Sequence, residues 1–179
     1  YAPAPPEALP GLEAAVARLL GAIQQGERIL VWGDFDVDGQ TATALLVDTL
    51  QELGGQVRYH VPVRAQESHG VSPRVLGRWL AAADPPAVVL TCDTGIAAFD
   101  AAELALSHQV DLLITDHHEL PRLPGSDAAH LPEAAAIVTP RFLPNDHPLA
   151  GLPGVGVAYK LAEALFTHAG RPEAAGRQL

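Results

Sequence analysis

Three short clusters of acidic side chains stand directly after apolar segments of this 179-residue sequence. They read Gly-Asp-Phe-Asp-Val-Asp-Gly at 33–39, Asp-Thr-Gly at 93–95 and Asp-His-His at 116–118. Carboxylate oxygens combined with imidazole nitrogens favour Mn²⁺ or Mg²⁺, with Zn²⁺ or Fe²⁺ as alternatives. If the clusters meet, so many anions require neutralising cations or strongly raised carboxyl pKa values. The residue types therefore predict a site for divalent metal ions.

Apolar periodicity predicts the elements that position these clusters. Strands are expected at 29–32, 57–61, 88–92, 110–115 and 136–139. Helical spacing appears at about 12–23, 42–53, 72–83 and 97–107, and again from Gly156 onward. Alternating strands and helices predict an α/β domain with a mostly parallel sheet, helices on both faces and right-handed crossovers.

The carboxyl ends of parallel strands share one edge of the sheet, and ligands bind at that edge. The three clusters are therefore expected to converge although they are far apart in sequence. A shared carboxylate such as Asp93 would then hold two ions about 3.5–4 Å apart, the arrangement used for phosphoester hydrolysis.

Each cluster taken alone has a simpler explanation. Asp-x-Asp-x-Asp-Gly also opens an EF-hand loop, but that loop needs a Glu at its twelfth position. Counted from Asp34, that position is Leu45. A single Asp at a strand end is most often a helix cap, and a His-His pair is most often part of a solvated loop. Three clusters at three strand ends on one edge favour the metal site.

Composition narrows the class of protein. Apolar residues make up 48% and charged residues 18%, which is typical of a globular domain. No apolar run approaches the roughly 18 residues that cross a bilayer, and the single cysteine, Cys92, favours the cytoplasm. The net charge of -10 by itself argues against a nucleic-acid partner. Carboxylates that bind metal ions would account for part of this charge.

The motifs GDFDVDG, HGVS, DTGI and TDHH, in this order, resemble those of the DHH phosphoesterase family. Within the family, the first motif is similar to the form HGDYDADG of the RecJ nucleases, and the segment GVGVAYKL at 154–161 also resembles them. The resemblance extends over about residues 12–168. It implies a metal-dependent exonuclease with two Mn²⁺ or Mg²⁺ ions. Such an enzyme hydrolyses single-stranded DNA in the 5′-to-3′ direction during DNA repair and recombination.

The chain contains no Met and opens on a proline-rich stretch, so we expect a piece of a longer protein. The expected parts are a proline-rich lead-in at 1–11, a DHH catalytic domain at 12–168 and, at 169–179, the start of a linker to a second domain. The resemblance implies that this second domain helps to hold the nucleic acid.

The resemblance also assigns roles to the acidic clusters. Asp36, Asp93 and His117 would ligate one metal ion, and Asp34 together with Asp93 would ligate a second. His118 would face the scissile phosphate and Asp116 would orient the imidazoles, so that both serve catalysis together with Asp93. For Asp38, a cap on the following helix is favoured over metal binding.

Four further residues are predicted to contact substrate. Arg64 and His69 match a family region near the substrate, although a solvated arginine is the ordinary alternative. Gly154 and Gly156 precede a helix and would offer backbone N–H groups to phosphate, with a glycine hinge as the alternative. Lys160, within that helix, is expected to be solvated.

Trp32 departs from the family pattern, which has His at this position. Because an indole cannot bind a metal ion, we expect one firm and one weak metal site. Core packing is the favoured role for Trp32 over stacking on a base.

Two alternatives to a single-strand exonuclease remain open. One is a DHH oligoribonuclease, nucleotide phosphatase or pyrophosphatase, and the other is a catalytically inactive RecJ-like binding module.

Overall fold

The computed structural model of the chain describes residues 4–67 and 70–176. Its core is a five-stranded parallel sheet with the strand order β2-β1-β3-β4-β5. The strands are β1 (Arg28–Trp32), β2 (Gln56–His60), β3 (Val88–Cys92), β4 (Asp111–Thr115) and β5 (Ala136–Val138). The predicted α/β class with a parallel sheet is confirmed.

Helices cover both faces of the sheet, as predicted. They are α1 (Leu12–Gln25), α2 (Val37–Glu52), α3 (Pro73–Leu80), α4 (Phe99–Ser107), α5 (Gly154–His168) and α6 (Pro172–Ala175). Helices α1, α2 and α5 pack on the face that carries Ile29 and Val31, whereas α3 and α4 pack on the face that carries Leu30 and Trp32. Because both faces are covered, the inner strands β1, β3 and β4 are buried at successive positions rather than at alternate ones.

The strand order places β1 and β3 side by side at the centre of the sheet. The chain leaves β1 through α2 on one face and returns to β3 through α3 on the other face. This reversal opens a crevice at the carboxyl ends of the two strands, which is where α/β proteins bind ligands. The first two acidic clusters follow these two strands directly.

The predicted solvation of Lys160 is wrong. This side chain is 6% exposed, and its Nζ donates to the Ala4 carbonyl (2.9 Å) and to Glu163 Oε2 (2.7 Å). A buried ammonium group requires such partners. The contact joins the chain before α1 to α5, and Leu9, 1% exposed, packs into the core beside them.

None of the helices among the described residues is long and apolar enough to cross a membrane.

Candidate metal centre

The loop after β1 carries the first acidic cluster and opens helix α2. Asp36 occupies the N-cap position of this helix, and its Oδ1 accepts a hydrogen bond from the N–H of Gly39 (3.0 Å). Asp38 was expected to cap this helix, so that prediction is wrong. Its carboxylate instead accepts from the N–H groups of Gly154 (2.8 Å) and Val155 (2.6 Å), at the N-terminus of α5. A carboxylate there is stabilised by the helix dipole.

Asp34 carries an oxygen that has no hydrogen-bond donor. Its Oδ1 is buried and lacks a partner among the described residues. Gly39 makes this position possible, because a Cβ at Gly39 would lie 2.6 Å from the Cβ of Asp34. A buried carboxylate oxygen without a donor is costly, so a cation is the natural partner of Asp34.

Asp93, directly after β3, is the most constrained member of the site. It is 1% exposed and has a left-handed backbone with φ 62°, a conformation that costs a non-glycine residue about 1–3 kcal/mol. Its Oδ1 has no hydrogen-bond donor among the described residues, although His117 Nε2 lies 3.1 Å away. Burial, together with the charges of Asp38 and Asp36, raises its pKa to about 7, and His118 offsets this only in part. The charge of Asp93 therefore lacks sufficient compensation from the protein alone.

Two groups of side chains can each hold a metal ion, and both contain Asp93. In one, oxygen atoms of Asp34, Asp36 and Asp93 lie within 4.8 Å of one another. In the other, Asp93, His117 and His118 offer atoms within the same distance. The expected convergence of the three clusters is thus present. The grouping differs from the expectation, because Asp36 lies with Asp34 instead of with His117.

The two histidines after β4 have different surroundings. His117 Nε2 faces Asp93 and lies 3.7 Å from Asp38 Oδ2. Asp116 is buried and accepts from the N–H of Ile96 (2.9 Å), the N–H of His118 (3.0 Å) and His118 Nδ1 (2.7 Å). Asp116 was expected to orient the imidazoles, and in this geometry it holds the ring of His118.

The hydrogen bond between Asp116 and His118 favours a charged carboxylate and a protonated imidazole. The hydrogen bond to Asp116 raises the pKa of His118 to about 9, and burial of the ring offsets this only in part. Burial opposes ionisation of Asp116, but the hydrogen bonds from His118 and Ile96 outweigh it and lower the pKa of that carboxyl. In the metal-free protein His118, whose side chain is half exposed, therefore favours the charged imidazolium at neutral pH. A charged imidazole is suited to contact phosphate.

Gly154 supports the site in a way that the sequence did not reveal. Its N–H donates to Asp38 and is not free for the predicted phosphate contact. A Cβ at this position would lie 2.2 Å from Asp93 Oδ1, so glycine allows α5 to lie directly against that carboxylate. Gly156, in the same turn, packs against Leu152, where a Cβ would lie 2.9 Å from a side-chain carbon.

We expect Gly154→Ala to weaken Mn²⁺ binding by at least about 10-fold, because Asp93 must move and displaced ligand supports typically cost 10–100-fold. Gly151→Ala is the matched control, since a Cβ there meets nothing within 4 Å. Calorimetric titration of both variants with Mn²⁺ measures the effect. Equal affinities in the two variants would contradict this role of Gly154.

A cavity of about 630 Å³ opens beside the metal candidates. Asp34, Asp116 and His118 line it, together with Thr94 and Phe99. It is large enough for a nucleotide-sized ligand.

The two remaining substrate candidates lie on the segment between β2 and α3. The guanidinium of Arg64 lies over the ring of Phe35, 4.7 Å from its centroid, and so beside the first acidic cluster. His69 lies outside the described residues. Arg141 was not among the residues predicted from the sequence, and its Nε donates to the His117 carbonyl (2.7 Å). No local pattern connects residues 24 positions apart.

Trp32 belongs to the core, as favoured from the sequence. It is 0% exposed, and its ring packs against His60 with centroids 4.3 Å apart. The alternative, stacking on a base, is wrong because no face of the indole reaches solvent. Its Nε1 has no hydrogen-bond partner among the described residues.

Trp32→His is expected to lower the free energy of unfolding by about 2–4 kcal/mol, somewhat less than a tryptophan-to-alanine change in a core. It is also expected to tighten the weaker Mn²⁺ site by about 10-fold or more, because it restores an imidazole where the family has one. Chemical denaturation and a Mn²⁺ titration measure the two effects. Two equally tight sites in the wild type, or no gain in the variant, would show that this position does not influence metal binding.

Comparisons with known proteins identify the family of the chain. The family model described as DHH family, N-terminal domain, matches residues 28–177. The single-stranded-DNA-specific exonuclease RecJ of Escherichia coli (strain K12) is 40% identical over 164 residues, covering 91% of this chain and 27% of the relative. RecJ of Bacillus subtilis (strain 168) is 39% identical over 161 residues, covering 90% of this chain and 19% of the relative.

A solved structure of exonuclease RecJ bound to manganese superposes with a TM-score of 0.80 at 33% identity. The match covers 95% of this chain and 41% of that one. The chain therefore spans only about a fifth to a quarter of the length of these two curated relatives. The family match covers most of the chain and includes all three acidic clusters, so the chain belongs to the DHH family.

Proposed function

We propose that this protein is a metal-dependent phosphodiesterase that hydrolyses single-stranded DNA as a 5′-to-3′ exonuclease in DNA repair and recombination. The observation that supports this most strongly is the sharing of Asp93 by two groups of candidate ligands. A carboxylate common to two metal ions is the signature of two-metal phosphoester hydrolysis. The relatives that cover this chain are exonucleases specific for single-stranded DNA.

The donor set fits two divalent cations. Asp34, Asp36 and Asp93 would hold one Mn²⁺ or Mg²⁺, and Asp93 with His117 would hold the other. When bound, these ions supply charge neutralisation and a water of lowered pKa. Buried oxygens of Asp34 and Asp93 without donors, and the raised pKa of Asp93, are the features that such cations would satisfy.

The remaining side chains would act on the substrate. His118 is held by Asp116 and lines the cavity, where its free nitrogen would donate to a phosphate oxygen. Asp116 keeps the ring in that orientation, as carboxylates do for imidazoles at metal sites. Arg64, over Phe35, would contribute a second positive charge beside the first acidic cluster.

The proposal also includes a second domain and a cellular compartment for the enzyme. The net charge of -10 leaves little basic surface for DNA, so we propose that a second domain, as the family resemblance implies, shares the binding of the strand. We also propose that the enzyme acts in the cytoplasm, where Cys92, a buried free thiol, stays reduced.

A digest of oligonucleotides labelled at either end tests the function. We expect Mn²⁺-dependent release of nucleotides from the 5′ end of a single strand, no release with excess chelator, and slow attack on a blunt duplex. Full digestion in chelator would exclude the mechanism. If the protein instead prefers an RNA oligomer, a mononucleotide or pyrophosphate, the same metal-dependent hydrolysis acts on that class of substrate. Binding of DNA and Mn²⁺ without any hydrolysis would indicate a binding module.

A further inference from the structure

A second cavity, of about 580 Å³, lies between the edge strand β2 and helix α3. Three arginines line it, Arg58, Arg74 and Arg78, together with His60, Glu67 and Trp79. The protein as a whole carries a net charge of -10 and has only ten arginines and one lysine. A concave site lined by three arginines and a single carboxylate therefore contrasts with the acidic balance of the sequence.

Regular geometry brings the three arginines to one place. Arg58 and His60 are two residues apart on β2 and so point to the same face of the sheet. Their neighbours in register on β1, Leu30 and Trp32, pack on the α3 side. Arg74 and Arg78 are four residues apart on α3 and share one helix face. Like charges at this helical spacing destabilise the helix.

The three arginines of this cavity differ from most of the others because they form no ion pair with a carboxylate in the described part of the chain. Five of the nine arginines among the described residues pair with carboxylates, namely Arg18, Arg28, Arg122, Arg141 and Arg171. Within the same part of the chain, no ion pair is formed by Arg58, Arg74 or Arg78. The one carboxylate at the cavity, Glu67, is bonded to His60 Nε2 (2.8 Å). Three arginines without an ion pair to any described residue thus line a common space in which the carboxylate of Glu67 is already bonded to His60.

Guanidinium groups bind phosphate through paired N–H donors. Trp79 adds an aromatic surface that is only partly buried in the core beneath it. Phosphate-binding cations beside an exposed aromatic face are the combination by which proteins hold single-stranded nucleic acid. The ligand chemistry indicated is therefore a phosphodiester strand with unpaired bases.

The position relative to the candidate metal centre supports the same ligand. The segment between β2 and α3 borders both cavities together with the first turn of α3. Gly70 of the segment and Pro73 of α3 line the first cavity, whereas Gln66 and Glu67 of the segment and Arg74 of α3 line the second. A strand that occupies the first cavity has the arginine cavity on the other side of this segment.

We propose that the cavity of Arg58, Arg74, Arg78 and Trp79 binds the phosphodiester backbone of a nucleic-acid single strand beside the catalytic centre. This inference rests on the proposed function, which supplies the strand. It assigns the cavity a role in holding substrate away from the bond that is hydrolysed.

The experiment uses the full-length protein in chelator, so that the strand stays intact, with oligothymidylate as the probe. The sequence has two tryptophans, and Trp32 is fully buried, so a change in tryptophan fluorescence on binding reports on Trp79. We expect saturable quenching that disappears in Trp79→Phe. The variant Arg58→Gln/Arg74→Gln/Arg78→Gln should bind at least about 10-fold more weakly. Its slope of log affinity against log salt should fall by about 2, since each single-strand phosphate contact contributes about 0.7.

The matched control is Arg28→Gln/Arg122→Gln/Arg171→Gln, which changes the net charge equally but removes arginines that already pair with carboxylates. It should retain wild-type affinity and slope. Equal losses in both triple variants, no loss in either, or saturation by inorganic phosphate at the concentration of the oligomer would overturn the inference. Hydrolysis of bis(p-nitrophenyl) phosphate by the wild type with Mn²⁺ tests the proposed function separately, because so small a diester needs only the metal centre.

Discussion

Replacing Asp93 with asparagine is expected to abolish both Mn²⁺ binding and the proposed hydrolysis of single-stranded DNA. Asp93 belongs to both groups of candidate ligands, so removal of its charge damages both at once. The loss of affinity should exceed the roughly 10–100-fold that accompanies removal of a residue that merely supports a ligand. Asparagine has the same shape and tolerates the left-handed backbone at this position, so the fold should persist. Calorimetric titration with Mn²⁺ and an oligonucleotide digest measure the two effects.

The same substitution should stabilise the metal-free protein, and more so at high pH. The pKa of Asp93 is about 7 in the folded protein, compared with about 3.9 for an unfolded chain. The folded state therefore retains its proton as pH rises from about 4 to 7, so stability falls across this range and the full penalty is present above pH 7. Asparagine removes the penalty, which we expect to raise the free energy of unfolding by about 1–3 kcal/mol at pH 8.

Thermal melting in chelator at pH 5 and pH 8 measures this gain, with Asp127→Asn at a fully exposed position as the control. With added Mn²⁺ the wild type should become more stable than Asp93→Asn, because ions that bind only the folded state stabilise the wild type alone. A gain that does not depend on pH, or equal stabilisation of both proteins by Mn²⁺, would argue against an uncompensated charge at Asp93.

His118→Gln should lower the rate of hydrolysis by about 10²–10⁴-fold, the range for loss of a side chain that moves or holds a proton at the reacting group. The imidazolium lines the cavity and is fixed by Asp116, whereas glutamine carries no charge. His108→Gln, at the exposed end of α4, is the control. Rates measured at saturating Mn²⁺ separate this effect from weaker metal binding. A rate within threefold of wild type would remove His118 from the catalytic residues.

The pH profile gives a second readout of the same pair. Because the hydrogen bond to Asp116 raises the pKa of His118 to about 9, the positive charge is present below that pH and is lost as pH rises through it. Asp116→Asn removes the main cause, so the alkaline decline of kcat/KM with Mg²⁺ should move to lower pH. A purely structural role of Asp116 would lower the rate without moving the decline.

The sequence was sufficient for the parts of this protein that depend on local pattern. Apolar runs such as 88–92 identified buried strands, and the helices between them followed from residue spacing, because backbone pairing and side-chain burial impose periods that short segments display. The meeting of Asp34, Asp93 and His117 was also accessible, since parallel strands place their carboxyl ends on one edge regardless of their separation in the chain.

The tertiary structure alone decided which partners these residues take. Asp36 rather than Asp38 caps α2, and Asp38 reaches α5, which begins 116 residues later. In each case a carboxylate lies at a helix N-terminus, where it is stabilised. The local sequence pattern therefore could not indicate which of the two aspartates caps α2. Gly154 could not be distinguished from a flexible hinge until Asp93 was found against it. The arginine cavity likewise depends on how α3 lies over β2, because the direction of a side chain follows from its own element, whereas the charges it meets depend on how distant elements pack.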